Sequence, residues 1–229
     1  VYENPEVKAK VFYISDDQHF FAGSTPLSML SYYETMYKSF NRARFLELMK
    51  AISLDPTRKI STFSKGMRKQ VSVLLGVCSG TKYLLCDETF DGLDPVIRQA
   101  IKKLFIQEME ENGMTPIIAS HNLRELEDIC DHVGLFHKGG ILLSKDLEEM
   151  KLGIFKLQVV FKESKDLEAV AESFPIVSQS RQGSLYTLTL RGDQNTIASG
   201  ISALSPVFFE LLPLTLEEIF ISETEVLGY

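Results

Sequence analysis

The run Tyr83-Leu-Leu-Cys-Asp87-Glu88 ends an apolar stretch on two adjacent carboxylates. A strand that delivers such a pair at its C-terminal end sets them at the ligand edge of an α/β sheet. Successive side chains of a strand point to opposite faces, so Asp87 and Glu88 must serve different purposes. One carboxylate can hold the water shell of Mg2+, an ion that favours one or two carboxylates beside phosphate oxygens. The other can orient and deprotonate an attacking water. Taken alone, the hexapeptide fits an ordinary strand end with a solvated acidic turn slightly better.

Its neighbours change that balance. Asp91-Gly92-Leu93-Asp94-Pro95 follows at once as a tight turn. Further on, the strand Thr115–Ser120 runs into His121, again at a carboxyl edge. A histidine there can hydrogen-bond a γ-phosphate and sense its presence. In isolation His121 reads as a surface residue or the neighbour of a helix cap, and His19, His132 and His137 keep that plainer reading. The third element is Ser64-Lys65-Gly66-Met67-Arg68-Lys69-Gln70. Ser64 suits an N-cap, and Gly66 leaves first-turn N–H groups open to an anion. Lys65, Arg68 and Lys69 add positive charge. The plain alternative is a capped helix with a solvated basic face.

The elements that must position these groups can be traced along the chain. Val7–Ser15 reads as a buried strand, followed by a polar loop to Thr25. Helical patterns cover Pro26–Ser39 and Asn41–Ser53, with Pro26 suited to a first turn. A periodic helix runs from the Ser64 region to about Ser79, and strand Lys82–Asp87 follows. Helix Val96–Asn112, strand Met114–Ser120, helix Asn122–Cys130, strand His132–His137, a Lys138-Gly139-Gly140 turn and a short strand complete this part. Apolar strands alternating with helices predict a mainly parallel α/β sheet.

Composition shifts near Lys151. Beyond it the pattern reads strand Ile154–Phe161, helix Lys165–Phe174, strand Ile176–Arg181, strand Ser184–Leu190, helix Asp193–Leu204 and strand Val207–Leu212. This βαββαβ order predicts a small α+β ferredoxin-like domain. Leu214–Ser222 adds an amphipathic helix. The carboxylates Glu163, Asp166, Glu168 and Glu172 read as a solvated helix face.

With 229 residues the chain can hold one large domain or two modest ones, here divided as 1–150 and 151–229. A net charge of -7 argues against nucleic acid or an anionic lipid surface as the main partner. Cys78, Cys86 and Cys130 lie in apolar stretches without metal-ligand spacing, which predicts buried free thiols in a reducing compartment. No apolar run approaches the ~20 residues that cross a bilayer. Work at a membrane would therefore go through a partner.

In this order the pieces resemble the ABC ATPase family over roughly residues 7–150. Phe63–Met67 (FSKGM) is similar to its signature motif, and YLLCDE to Walker B with the catalytic glutamate. Gly92–Pro95 is similar to the D-loop and Ala119–His121 to the switch histidine. Asp16, at the end of FYISD, stands at the Q-loop glutamine position. SKGM, the HKGGILLS turn and the closing Leu216–Phe220 (LEEIF) resemble ATPases that serve bacterial ABC-2-type exporters.

The resemblance implies a P-loop NTPase core with a helical subdomain at about 24–80, ATP and Mg2+ as ligands, and ATP hydrolysis. It assigns Glu88 and His121 to catalysis, Asp87 and Asp16 to the metal, and Ser64, Lys65, Gly66, Met67 and Asp94 to ATP across a dimer of ATPase subunits. It also implies a membrane-spanning permease as partner, with the ATPase peripheral at the cytoplasmic face of the cell membrane. The sequence departs from the pattern in four places. Met67 replaces the signature glutamine, Thr89 the usual proline, and Asp16 the Q-loop glutamine. The P-loop G-x-x-x-x-G-K-[ST] has no match, since no Gly-Lys dipeptide occurs. The expectation is a chain that starts downstream of its P-loop and is inactive by itself, with a degenerate regulatory subunit as the alternative. A non-transport ABC ATPase is a second rival, disfavoured by the charge and the lack of tandem domains.

Overall fold

The alternating pattern of residues 11–14 and 83–87 sets the first layer. The computed structural model describes residues 3–162 and 165–226. After a short α1 (Pro5–Lys8), β1 (Val11–Ile14) enters a three-stranded parallel sheet. Helices α2 (Pro26–Met36) and α3 (Arg42–Ala51), a 3-10 turn at Ile60–Thr62 and α4 (Lys65–Cys78) follow. Strand β2 (Tyr83–Asp87) is central, α5 (Pro95–Asn112) crosses over, and β3 (Thr115–Ala119) completes the order β1-β2-β3.

Phe12, Ile14, Leu84 and Cys86 share the buried face of this sheet, and α4 lies against it with Val73, Leu74, Leu75 and Val77 buried. The helix comes close because position 76 is glycine: a Cβ there would lie 2.8 Å from Leu84 Cδ1. The helix starts follow local chemistry. Thr25 and Ser28 form a reciprocal capping box with Pro26 in the first turn of α2, and Asn41 caps α3. Helix α2 ends at Met36, short of the predicted Ser39, because Tyr37 turns to an extended conformation.

After α6 (Leu123–Glu127) come β4 (His132–His137) and β5 (Gly140–Asp146). The sequence pattern placed these strands with the mainly parallel sheet. They instead pair only with each other, antiparallel, among the described residues. The connection explains this: Lys138 (φ 47°) and Gly139 (φ 81°) make a two-residue turn with both φ positive, which joins antiparallel strands. The chain divides into two compact units, one through Glu125 and one from Leu126. That division and the composition shift at Lys151 differ by the β4–β5 hairpin and α7 (Leu147–Lys151).

In the second unit β6 (Ile154–Val160), α8 (Lys165–Ser173), β7 (Ile176–Gln182), β8 (Leu185–Arg191), α9 (Gln194–Ala203) and β9 (Phe208–Pro213) form an antiparallel sheet of order β7-β8-β6-β9. This is the split βαββαβ arrangement predicted. Its core joins Leu157, Val159, Leu188 and Leu190 to Val170, Ile197 and Ile201 of the two helices. α10 (Leu216–Val226) buries Ile219 with Met150, Ile154 and Leu214. Of the acidic helix face, Glu163 lies outside the described residues. Among those described, no helix is long and apolar enough to cross a membrane.

Candidate functional site at the carboxyl edge of the parallel sheet

Parallel register brings the C-terminal ends of the strands together, pairing Ile14 with Cys86 and Asp87 with Ala119. Asp87 and Glu88 then part, because β2 ends at Asp87 and Glu88 turns out of the strand. Asp87 Oδ2 accepts a 3.0 Å hydrogen bond from the Tyr13 hydroxyl on β1. That bond to the carboxylate, with the lesser effects of burial and charge, raises the Tyr13 phenol above its ordinary pKa.

Glu88 leaves the strand with φ at +45°, a conformation that non-glycine residues seldom adopt. Its N–H donates to Ala119 O at 2.9 Å, which fixes the turn onto β3. The carboxylate is then wrapped by the residues after β3. Oε1 lies 2.9 Å from His121 Nδ1 and accepts from the His121 N–H at 3.2 Å, while the Ser120 hydroxyl reaches Oε2 at 3.4 Å. The imidazole is 77% exposed and the Glu88 side chain 26%. The hydrogen bond to Glu88, reinforced by its charge, holds His121 above the ordinary histidine pKa. A carboxylate aimed by an imidazole at an open sheet edge can accept a proton from a positioned water.

A second group lies beside it. Lys69 is fully buried, and its ammonium donates to Glu88 O (2.6 Å), Asp91 O (3.0 Å) and Asp16 Oδ1 (3.2 Å). Lys65, more than half exposed, stands 3.7 Å from Asp91 and 3.9 Å from Asp16. Exposed pairs of this kind contribute little. Gly66 faces the next turn, where an added Cβ would sit 3.5 Å from Gly92 O. Ser64 caps α4 by accepting from Met67 N at 3.2 Å. Asp94 caps α5, accepting from Val96 N and Ile97 N. Thr89 is buried, with its hydroxyl unpartnered.

Two groupings result. Tyr13, Asp87, Glu88, Ser120 and His121 form one, and Asp16, Lys65, Lys69 and Asp91 the other, joined where Lys69 grips the Glu88 carbonyl. Ser64, Gly66, Met67 and Asp94 sit at the starts of α4 and α5, each serving its own helix or the turn beside it.

For a divalent ion, the donor chemistry fits Asp87, a single carboxylate at the sheet edge that leaves room for water and phosphate oxygens. Asp16 fits less well, because its Oδ1 already faces two ammonium groups. Among the described residues no cluster of three or more His, Cys, Asp or Glu could hold a metal unaided.

The sequence suggests Lys69 either as one of the positive charges at the anion-facing start of α4 or as part of a solvated basic face, and its burial fits neither. The signal for that burial was available: Lys69, Val73 and Gly76 repeat at helical spacing and share the face that packs on the sheet. Arg98 was also overlooked. It donates to Leu93 O at 3.1 Å and pairs with the buried Glu125 at 2.8 Å, bracing the turn before α5.

The chain is similar to the ABC transporter ATP-binding protein YtrB of Bacillus subtilis, with 27% identity over 221 residues that take in 96% of this chain and 75% of YtrB. It is 31% identical over 110 residues to the lantibiotic transport ATP-binding protein SrtF of Streptococcus pyogenes, 47% of this chain and 48% of SrtF. No family model matches. Among solved structures, an ATP-binding subunit of an ABC transporter aligns with a TM-score of 0.59 at 20% identity, covering 64% of this chain and 63% of that one. CbiO1 of Clostridium perfringens aligns at 0.50 and 23% identity, covering 63% and 60%. These structural likenesses speak for the fold.

Proposed function

We propose that this chain, a relative of ABC transporter ATP-binding proteins with their α/β ATPase fold, belongs to a subunit that hydrolyses ATP to power a membrane transporter. The observation that carries this reading is the Glu88 carboxylate, held 2.9 Å from His121 at the open carboxyl edge beside Asp87.

Bound Mg2+ would neutralise charge on the phosphate oxygens during transfer. Asp87 would hold the water shell of that ion, and Tyr13 fixes one of the carboxylate's oxygens. Glu88 orients the attacking water and draws its proton, and His121 both aims Glu88 and offers a donor toward the terminal phosphate. Ser64, Lys65, Gly66 and Met67 present the start of α4 to the ATP of a second ATPase subunit, a homodimer or heterodimer partner. Asp94 couples the two sites. Asp16 carries over as the counter-ion of Lys69 rather than as a metal ligand. A membrane-spanning permease receives the motion, which places the subunit peripherally on the cytoplasmic face of the membrane. The likeness of the SKGM and LEEIF motifs to ABC-2-type ATPases supports export. Residues 151–229 would form an accessory domain.

The test is Glu88→Gln in the full-length protein. General-base removal costs about 10²–10⁴ in rate, so hydrolysis should fall at least a hundredfold while ATP binding is retained. Turnover near wild type would remove Glu88 from this role and the proposal with it.

A further inference from the structure

Lys69 is the one fully buried ammonium that the reaction above leaves without a part among the described residues. A lysine ammonium has three N–H donors, and here each finds an acceptor: Asp16 Oδ1, Glu88 O and Asp91 O. Two of those acceptors bracket a turn whose first residue, Glu88, sits at φ +45°. Such conformations persist only when the surroundings over-determine them. The Asp91 N–H returns to Glu88 O at 3.1 Å, so that single carbonyl takes a backbone bond and a charge-assisted one together. The third acceptor belongs to a different element, the loop after β1.

We propose that Lys69 is a positioning residue for Glu88: it fixes the 88–91 turn, and through Asp16 ties that turn to the loop after β1. The Glu88 carboxylate is aimed from two sides, by Ser120 and His121 at its oxygens and by Lys69 at its backbone. A shift of the Asp16 loop is then felt at Glu88 through one ammonium. The catalytic half of this inference rests on the ATPase reading. The structural half does not.

The experiment compares Lys69→Met and Lys69→Gln with wild type in the full-length protein, by amide hydrogen exchange and by steady-state kinetics with Mg2+-ATP. Loss of the ammonium should speed exchange across residues 88–91 at least tenfold, leaving strand 154–160 unchanged. It should lower kcat at least tenfold, with KM for ATP within about twofold. A merely structural lysine would change the amount of folded protein without that split between kcat and KM. The shorter, neutral Lys69→Gln decides the matter if Lys69→Met does not fold. Exchange at 88–91 within twofold of wild type in a folded variant overturns the proposal, as does a loss of kcat/KM carried by KM alone. A wild-type protein that hydrolyses no ATP would refute the proposed function, and the exchange comparison would still judge Lys69.

Discussion

Gly76→Ala tests whether the contact between α4 and the sheet is what seats Ser64 and Lys69. The new methyl would stand 2.8 Å from Leu84 Cδ1 and 3.2 Å from the Cδ1 atoms of Ile14 and Phe12. All three neighbours are buried, and their strands are locked in parallel register, Phe12 opposite Leu84 and Ile14 opposite Cys86. Two effects oppose each other. Replacing glycine by alanine inside a helix gains about 1 kcal/mol. Overpacking a closed core costs about 1–3 kcal/mol, and crowding three side chains at once puts this site in the upper half of that range. The net expectation is destabilisation by about 1–2 kcal/mol. In a chain of this size each kcal/mol lowers Tm by about 2–4 °C, so a thermal melt should show a clear drop. Adding Leu84→Val removes the closest atom, so the double variant should recover part of the loss, with a coupling of about 0.5–3 kcal/mol. A Gly76→Ala protein as stable as wild type, or an additive cycle, would refute the claim that glycine sets this approach.

The Glu88–His121 contact predicts a titration. Of the four histidines, His121 should titrate above 6.5 in wild type by NMR, and Glu88→Gln should bring it back toward that value. Because the folded pKa is raised, the contact supports folding fully below the unfolded value near 6.5 and loses that support as pH climbs through the raised one. Identical midpoints in the two proteins would refute the pairing. For Asp94, the two bonds to Val96 N and Ile97 N predict that Asp94→Ala costs about 1 kcal/mol in denaturant unfolding and Asp94→Asn much less, since asparagine caps as well. Equal losses would show that the charge rather than the cap matters.

What the sequence could reveal follows from how local each signal is. Strands β2 and β3, the Ser64 cap and the Pro26 helix start are legible, because strand and cap signals are written within a few residues, whereas the strand expected over Val7–Ser15 is confined to Val11–Ile14 after the short α1. The meeting of Glu88 with Ser120 and His121 was foreseeable only as two carboxyl ends in one sheet. Their contact depends on the left-handed turn at Glu88, which no glycine or asparagine announced. The Lys138-Gly139-Gly140 turn is legible, but that it has two positive φ values, and so pairs β4 and β5 antiparallel apart from the parallel layer, is not written in the residue types. The burial of Lys69 is carried by its helical phase with Val73 and Gly76, which its residue type masks. Tyr13 could not be tied to Asp87 from sequence at all, since 74 residues separate them and only the register of β1 on β2, which sets Tyr13 opposite Leu85, brings its hydroxyl within reach of Asp87.

Charge at the site bears on the order of events under the proposed reading. Asp16, Asp87, Glu88 and Asp91 gather near the edge against the ammonium groups of Lys65 and Lys69, and Lys69 is buried beneath the turn rather than offered to a ligand. A bare triphosphate would meet a surplus of negative charge there, so the nucleotide must arrive with its cation. His121 is the nearby group whose charge can change close to neutrality. While paired with Glu88 it carries its proton more readily, which lowers the repulsion felt by an incoming phosphate. When water is deprotonated, Glu88 becomes neutral and its hold on that proton weakens, which frees the imidazole N–H for the terminal phosphate. The same pair can thus serve approach and reaction in sequence, with Lys69 keeping the glutamate backbone fixed while its carboxylate changes charge.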